Sequence, residues 1–136
     1  MSSFKTVLAF ALPLVMLAVP AAPAAAWVQV NSLRDLPAGV RASLAHEMAD
    51  RGGPFNAGCV MQKDVPQSRF VLGARQPDVL VLAVEHGGFA HYVETLEYRQ
   101  ADGTWSLASR GHGSVNVDSA QALVAQHEGS RKSAAP

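Results

Sequence analysis

From Arg69 onward, apolar runs alternate with turn signals at the spacing of an antiparallel β-meander, and this pattern restricts the possible folds more than any other feature of the chain. Arg69 to Arg75 reads as a first strand, and Gln76-Pro77-Asp78 turns it into Val79 to His86. The unbroken Val-Leu-Val-Leu-Ala-Val of that second run predicts a strand buried on both faces. Gly87-Gly88 predicts a tight hairpin turn into Phe89 to Gln100. Asp102-Gly103 is a type I′ turn signal, and it leads into a fourth strand over Thr104 to Gly111.

Helical signals flank this run. Pro37 suits the first helical position, Val40, Leu44 and Met48 recur every four residues, and Gly52-Gly53-Pro54 ends the segment, so a helix is expected over Pro37 to Arg51. Between Gly52 and Ser68 the punctuation reads as a loop that hides a short strand around Gly58 to Gln62. Asp118 followed by Gln121 resembles a capping box, opening a short helix to about His127, with Gly129 as its stop and a disordered tail over 130–136. The expected fold class is α+β, with the N-terminal helix packed on a four-stranded antiparallel meander and a short C-terminal helix closing the chain. At the level of fold this resembles cystatin-like helix-on-sheet domains. The resemblance rests on no motif and implies no functional residue.

Residues 1–26 read as a secretory signal peptide. Lys5 supplies the basic start, Thr6 to Val19 is almost wholly apolar, and Ala24-Ala25-Ala26 has the small-x-small pattern of a cleavage site. The apolar stretch is about 14 residues long, short of the roughly 20 that a spanning helix needs, and Pro20 and Pro23 follow it. A periplasmic or secreted protein without a stable membrane anchor is expected, its mature part a single domain over 27–129 with the tail beyond. Lys5 is the only charge in the signal, so ten of the eleven Lys and Arg face eleven Asp and Glu, a balance near −1. No basic stripe is present, and nucleic acid is not an expected partner.

The chain has one cysteine, Cys59, and an oxidising compartment offers it no partner within the molecule. Three readings stay open: a buried small hydrophobe, a disulfide between chains, or a reactive thiol or metal ligand.

Two-residue turns at Gly87-Gly88 and Asp102-Gly103 place His86 opposite Phe89 and Ala101 opposite Thr104, and the other pairs follow by counting. One face then collects Val79, Val81, Ala83, Tyr92, Leu96, Tyr98, Trp105 and Leu107, a bed for the first helix. The other collects Leu80, Leu82, Val84, Phe89 and Val93 at one end, with Glu97, Arg99, Ser106 and Arg110 toward the other. Glu94 falls among core positions, which implies either a slipped register or a carboxylate at an edge. In this register His86 and His91 are diagonal neighbours about 7–8 Å apart, close enough to share a metal with Cys59 as an outside ligand. His112 lies roughly 16 Å from His86, too far for one ion. The His-Gly-Gly string lacks a Gly-x-Ser-x-Gly elbow, and the chain is too short for an α/β-hydrolase.

The leading expectation is therefore a non-enzymatic binding or interaction module without a cofactor. It would present Leu82, Val84, Phe89, His91 and Val93 to a protein, a small ligand or a second copy of itself. The alternative is a metal-handling protein or thiol enzyme using Cys59 with His86 or His91.

Overall fold

The computed structural model describes residues 20–44 and 47–134, so the h-region and start of the expected signal lie outside the described residues. The fold is mixed α+β, a six-stranded sheet with two helices. Its strands are β1 (Val28–Val30), β2 (Met48–Ala49), β3 (Ser68–Arg75), β4 (Val79–His86), β5 (Tyr92–Ala101) and β6 (Thr104–His112). Helix α1 is Ala38–Ser43 and helix α2 is Ala120–Ala134. The order across the sheet is β1-β3-β4-β5-β6, antiparallel throughout, with β2 added parallel to the start of β3. None of the described helices is long and apolar enough to cross a membrane.

Strand β4 sits at the centre, and its apolar run serves both faces. Leu80, Leu82 and Val84 join Val30, Phe70, Leu96 and Tyr98 beneath Leu36 and Val40 on one face. Val81 and Ala83 join Leu72, Ala74 and Val93 beneath Ala120, Leu123 and Val124 on the other. The β3–β4 register slips between Phe70 and Leu72, so that Phe70 serves the α1 face and Leu72 the α2 face. Gly73, paired with Val30 and Leu82, has no room for a side chain: an added Cβ would stand 2.9 Å from the Val30 side chain and 3.1 Å from that of Leu82.

Several expectations change. The sheet has six strands rather than four, and helix α2 covers the face opposite α1. The first helix has 6 residues and stops at Ser43, where Leu44 turns extended. Gly39 weakens it, and so short a helix gains little from its own hydrogen bonds. Tertiary contacts therefore decide its end: Met48 pairs with Ser68 in β2, and the Asp50 carboxylate accepts from Ser32 Oγ and from the Leu33 N–H at 2.9 Å. Burial would raise the Asp50 pKa, but these bonds hold it below its usual range.

The expected strand at Gly58 to Gln62 is absent; that stretch is a loop closed on Asn56. Asn56 donates to the Gln62 and Val65 carbonyls, accepts from the Gln62 N–H, and its own N–H donates to the Pro66 carbonyl. Helix α2 starts two residues after Asp118, with Ser119 Oγ accepting from the Ala122 N–H, and runs through Gly129 to Ala134. Residues 130–134, expected in the tail, are thus helical, and Ser130 Oγ accepts from the His112 N–H at 2.7 Å.

The loop and sheet meet at Gly87, where an added Cβ would come 1.8 Å from the Asn56 carbonyl oxygen, whereas at Gly39 it would meet open space. Gly87→Ala should lower stability by about 1–3 kcal/mol through overpacking, and Gly39→Ala should raise it by about 0.5–1 kcal/mol through helix propensity. Urea denaturation of both variants checks the pair; equal effects of the same sign would contradict the packing described.

Candidate functional site

The turn after β4 decides which side chains share a face. The loop Gly87–His91 replaces the expected two-residue turn, so His86 pairs with Tyr92 rather than Phe89. The shift is an odd number of positions, and in a pleated sheet that exchanges the faces of the partner strand. Leu96 and Tyr98 thereby join Leu82 and Leu80, while Glu97 and Thr95 lie beside Val81 and Ala83. Between β5 and β6 the expected Ala101–Thr104 pair forms across the turn, with Asp102 at φ 51° and Gly103 at φ 76°. A bulge then slips the register between Glu97 and Tyr98, bringing His112 opposite Glu94 instead of Val93.

The anticipated binding face is consequently dispersed. Leu82 and Val84 are buried on the α1 face, Val93 is buried under α2, and His91 is on the connecting loop. Phe89 is 97% exposed at the tip of that loop. The anticipated metal pair is divided too. His86 bonds Ser68 and Glu94, while His91 bonds Glu85 at 2.7 Å. Cys59 is exposed on the Asn56 loop, and no group of three or more His, Cys, Asp and Glu able to hold a metal forms among the described residues.

Two polar clusters on the α2 face tie structure together. Glu97, 4% exposed, accepts from Arg99 at 2.7 Å, and from Ser109 and Arg131 at 3.1 Å each. His127, 1% exposed on α2, meets Glu97 through Nε2 at 3.1 Å and Thr95 through Nδ1 at 2.9 Å. Burial pushes the Glu97 carboxyl up, but the hydrogen bonds from Arg99, Ser109 and His127 outweigh it and leave the pKa lowered. Glu85 behaves alike: burial raises it, while His91 and Arg69 bring it below its usual range. Arg69 reaches Glu85 at 2.6 Å and stacks 4.4 Å over the Phe55 ring. A cavity of about 240 Å³ opens beside this group, lined by Arg51, Arg69 and Glu85 among others, with Arg69 and Glu85 paired to each other.

The α1 face holds a different arrangement. Helix α1 stops at Ser43, and among the described residues a cleft of about 170 Å³ forms beyond it against the sheet. Val84, Leu96, Leu44 and Met48 give it apolar walls, and Ser43, Ser68, His86, Glu94, Tyr98 and Arg110 supply the polar ones. A second cavity of about 160 Å³ adjoins it through Glu94 and Arg110 and is lined also by Tyr92 and His112. Four polar side chains cross four adjacent strands in a chain: Ser68 Oγ to His86 Nδ1 at 3.0 Å, His86 Nε2 to Glu94 Oε2 at 3.2 Å, and Glu94 Oε1 to Arg110. The Tyr92 ring stacks on His86 with centroids 4.8 Å apart. Hydrogen bonding to Glu94 raises the Arg110 pKa.

Of these residues only Val84 and His86 were sequence candidates. Ser68, Glu94, Arg110 and Tyr98 carried no local signal except the anomaly of Glu94 at a core position, which pointed to either a slipped register or a carboxylate at an edge. Comparison with protein-family models, curated proteins and solved structures finds no match to this chain.

The lowered pKa values of Glu85 and Glu97 carry a pH dependence. The unfolded chain, with carboxyls near 4.5, binds more protons than the folded one in the window below that value, so stability falls as pH drops through it. Urea midpoints should be level above about pH 5.5 and decline below about pH 4.5. Glu97→Gln should cost about 1–3 kcal/mol at pH 7 by leaving buried donors mismatched, and should flatten the acid decline. An acid limb unchanged in Glu97→Gln would contradict this assignment.

Proposed function

We propose that the chain is a small exported binding module whose ligand site is the cleft between α1 and the sheet. The observation that carries this reading is the cleft itself, in which Val84 and Leu96, core side chains with little exposure, form the base beneath a rim of hydroxyl, imidazole, carboxylate and guanidinium groups. An apolar pocket with a few converging polar groups is the usual form of a small-molecule site, although about 170 Å³ is small for one. The fitting ligand is therefore a short molecule with a compact apolar part and one hydrogen-bonding head. Export rests on the 1–26 segment: its basic start, its apolar stretch too short to span, and its Ala24-Ala25-Ala26 cleavage pattern.

A second reading has its own observation. Val60 and Phe89 are 86% and 97% exposed on two loops locked together at Asn56 and Gly87, with Met61 and Cys59 also exposed nearby in sequence. Exposed apolar side chains on a braced loop pair suit contact with a protein partner. Metal handling or thiol catalysis draws no comparable support, since His86 and His91 are engaged by different glutamates.

Two measurements check these proposals. When the full chain is made in a bacterium with an intact export pathway, the mass of the periplasmic product should correspond to a start at Trp27; a product retaining residues 1–26 would refute export with cleavage. Titration with butyrate, methyl butyrate and 1-butanol, followed by NMR, should shift signals of His86, Tyr92 and Arg110, and Met48→Trp, which fills the cleft, should abolish the shifts. Shifts confined to Val60 and Phe89 would instead favour the loop surface.

A further inference from the structure

The polar chain in the cleft has a proton arrangement that exceeds what binding requires. Glu94 accepts from Arg110 through Oε1, and its Oε2 lies 3.2 Å from His86 Nε2. An ionised carboxylate only accepts, so the imidazole proton belongs on Nε2. The Nδ1 lone pair is then free to accept from Ser68 Oγ–H, 3.0 Å away. A serine hydroxyl donating to an imidazole whose other nitrogen is held by a carboxylate is the arrangement that activates serine toward acyl carbon. Here the ring is turned round, with Nδ1 rather than Nε2 toward the serine.

We infer that Ser68 is a nucleophile, activated by His86, that cleaves small carboxylic esters bound in the cleft between α1 and the sheet; this inference rests on the cleft being the ligand site. Register supplies the geometry. Ser68 is directly opposite His86 in the β3–β4 pairing, Glu94 reaches the same ring from β5, and Tyr92 stacks on it and limits its rotation. Val84, Leu96, Leu44 and Met48 offer an apolar surface to a short acyl or alkyl chain. Ser43 Oγ donates to the Val40 carbonyl and meets Tyr98 Oη, so the Tyr98 O–H is the hydroxyl left to donate to a carbonyl oxygen. The adjoining cavity along Arg110 and His112 gives a path for water.

The reaction needs only ester and water. Ser68 Oγ bonds to the carbonyl carbon as its proton passes to His86 Nδ1, and the bond from that carbon to the alcohol oxygen breaks as the alcohol takes the proton. Water then attacks the acyl carbon and gives a proton to Nδ1. The carbon–Oγ bond breaks, Ser68 recovers the proton, and the carboxylic acid leaves. Glu94 is a positioning residue that acts through His86.

A fluorophosphonate probe tests this directly, because it forms a phosphorus–oxygen bond to an activated serine and expels fluoride. One label on the peptide containing Ser68, identified by mass spectrometry, is the expected result, and Ser68→Ala should take none. His86→Gln should label roughly 100-fold more slowly, as removal of a general base does. Glu94→Gln should lower the labelling rate at saturating probe more than it moves the half-saturating concentration, a division that general loss of structure would not give. Circular dichroism confirms that each variant is folded, and saturation-transfer NMR with methyl butyrate reports binding separately. If methyl butyrate binds in the cleft but Ser68 is not labelled, or labelling persists in Ser68→Ala, the nucleophile is refuted and the binding site stands. If neither binding nor labelling occurs, both fail.

Discussion

Burial of β4 on both faces is the constraint from which the remainder of the structure follows. Its Leu80, Leu82 and Val84 point one way and its Val81 and Ala83 the other, all at 2% exposure or less. Neither face can be left to water at about 25 cal/mol per Å² of apolar surface. Two covering layers are therefore required. On one side α2 supplies Ala120, Leu123 and Val124; on the other the segment around Leu33 to Leu44 supplies Leu36 and Val40. The two layers differ in reach. Helix α2 has 15 residues and α1 has 6, and among the described residues a cleft lies beyond the end of α1.

That inequality places the polar groups. Under the long helix, charged side chains must be satisfied in full, and Glu97 gathers Arg99, Ser109, His127 and Arg131 around one carboxylate. Among the described residues no buried side-chain nitrogen or oxygen is left without a partner, which accords with the cost of burying an unpaired polar group. Beyond the short helix the requirement relaxes, and Ser68, His86, Glu94 and Arg110 line a cleft instead of a sealed core. The same sheet thus uses polar chains as internal ties on one face and exposes one on the other.

Much of the sheet was legible because period-2 alternation and turn chemistry are local. The Asp102-Gly103 turn is where its dipeptide places it, and the apolar run of β4 is buried on both faces as its composition suggests. The cleft was not legible, because it depends on pairing across a loop whose length Gly87-Gly88 disguises. Counting from a two-residue turn put Leu96 and Tyr98 on the wrong face and left Glu94 as an unexplained carboxylate in the core. The true pairing resolves it: Glu94 lies on the α1 face, between His86 and Arg110. Leu44 and Met48 misled in the same way, since their four-residue spacing fits a helix equally well when one ends the turn and the other enters a strand.

By itself the sequence determined the α+β class, the twice-buried central strand, the lone cysteine and the near-neutral charge, since each depends on composition or on neighbours a few residues apart. Tertiary structure alone decided how far the first helix runs, which faces the histidines occupy and which hydroxyl meets which imidazole. Those outcomes turn on the Gly87–His91 loop, on two bulges, and on the Asp50 contacts that draw residues 47–50 away from a helix. Each is a small local difference in energy that long-range pairing settles, because a single odd step in register moves every side chain of a strand to the opposite face.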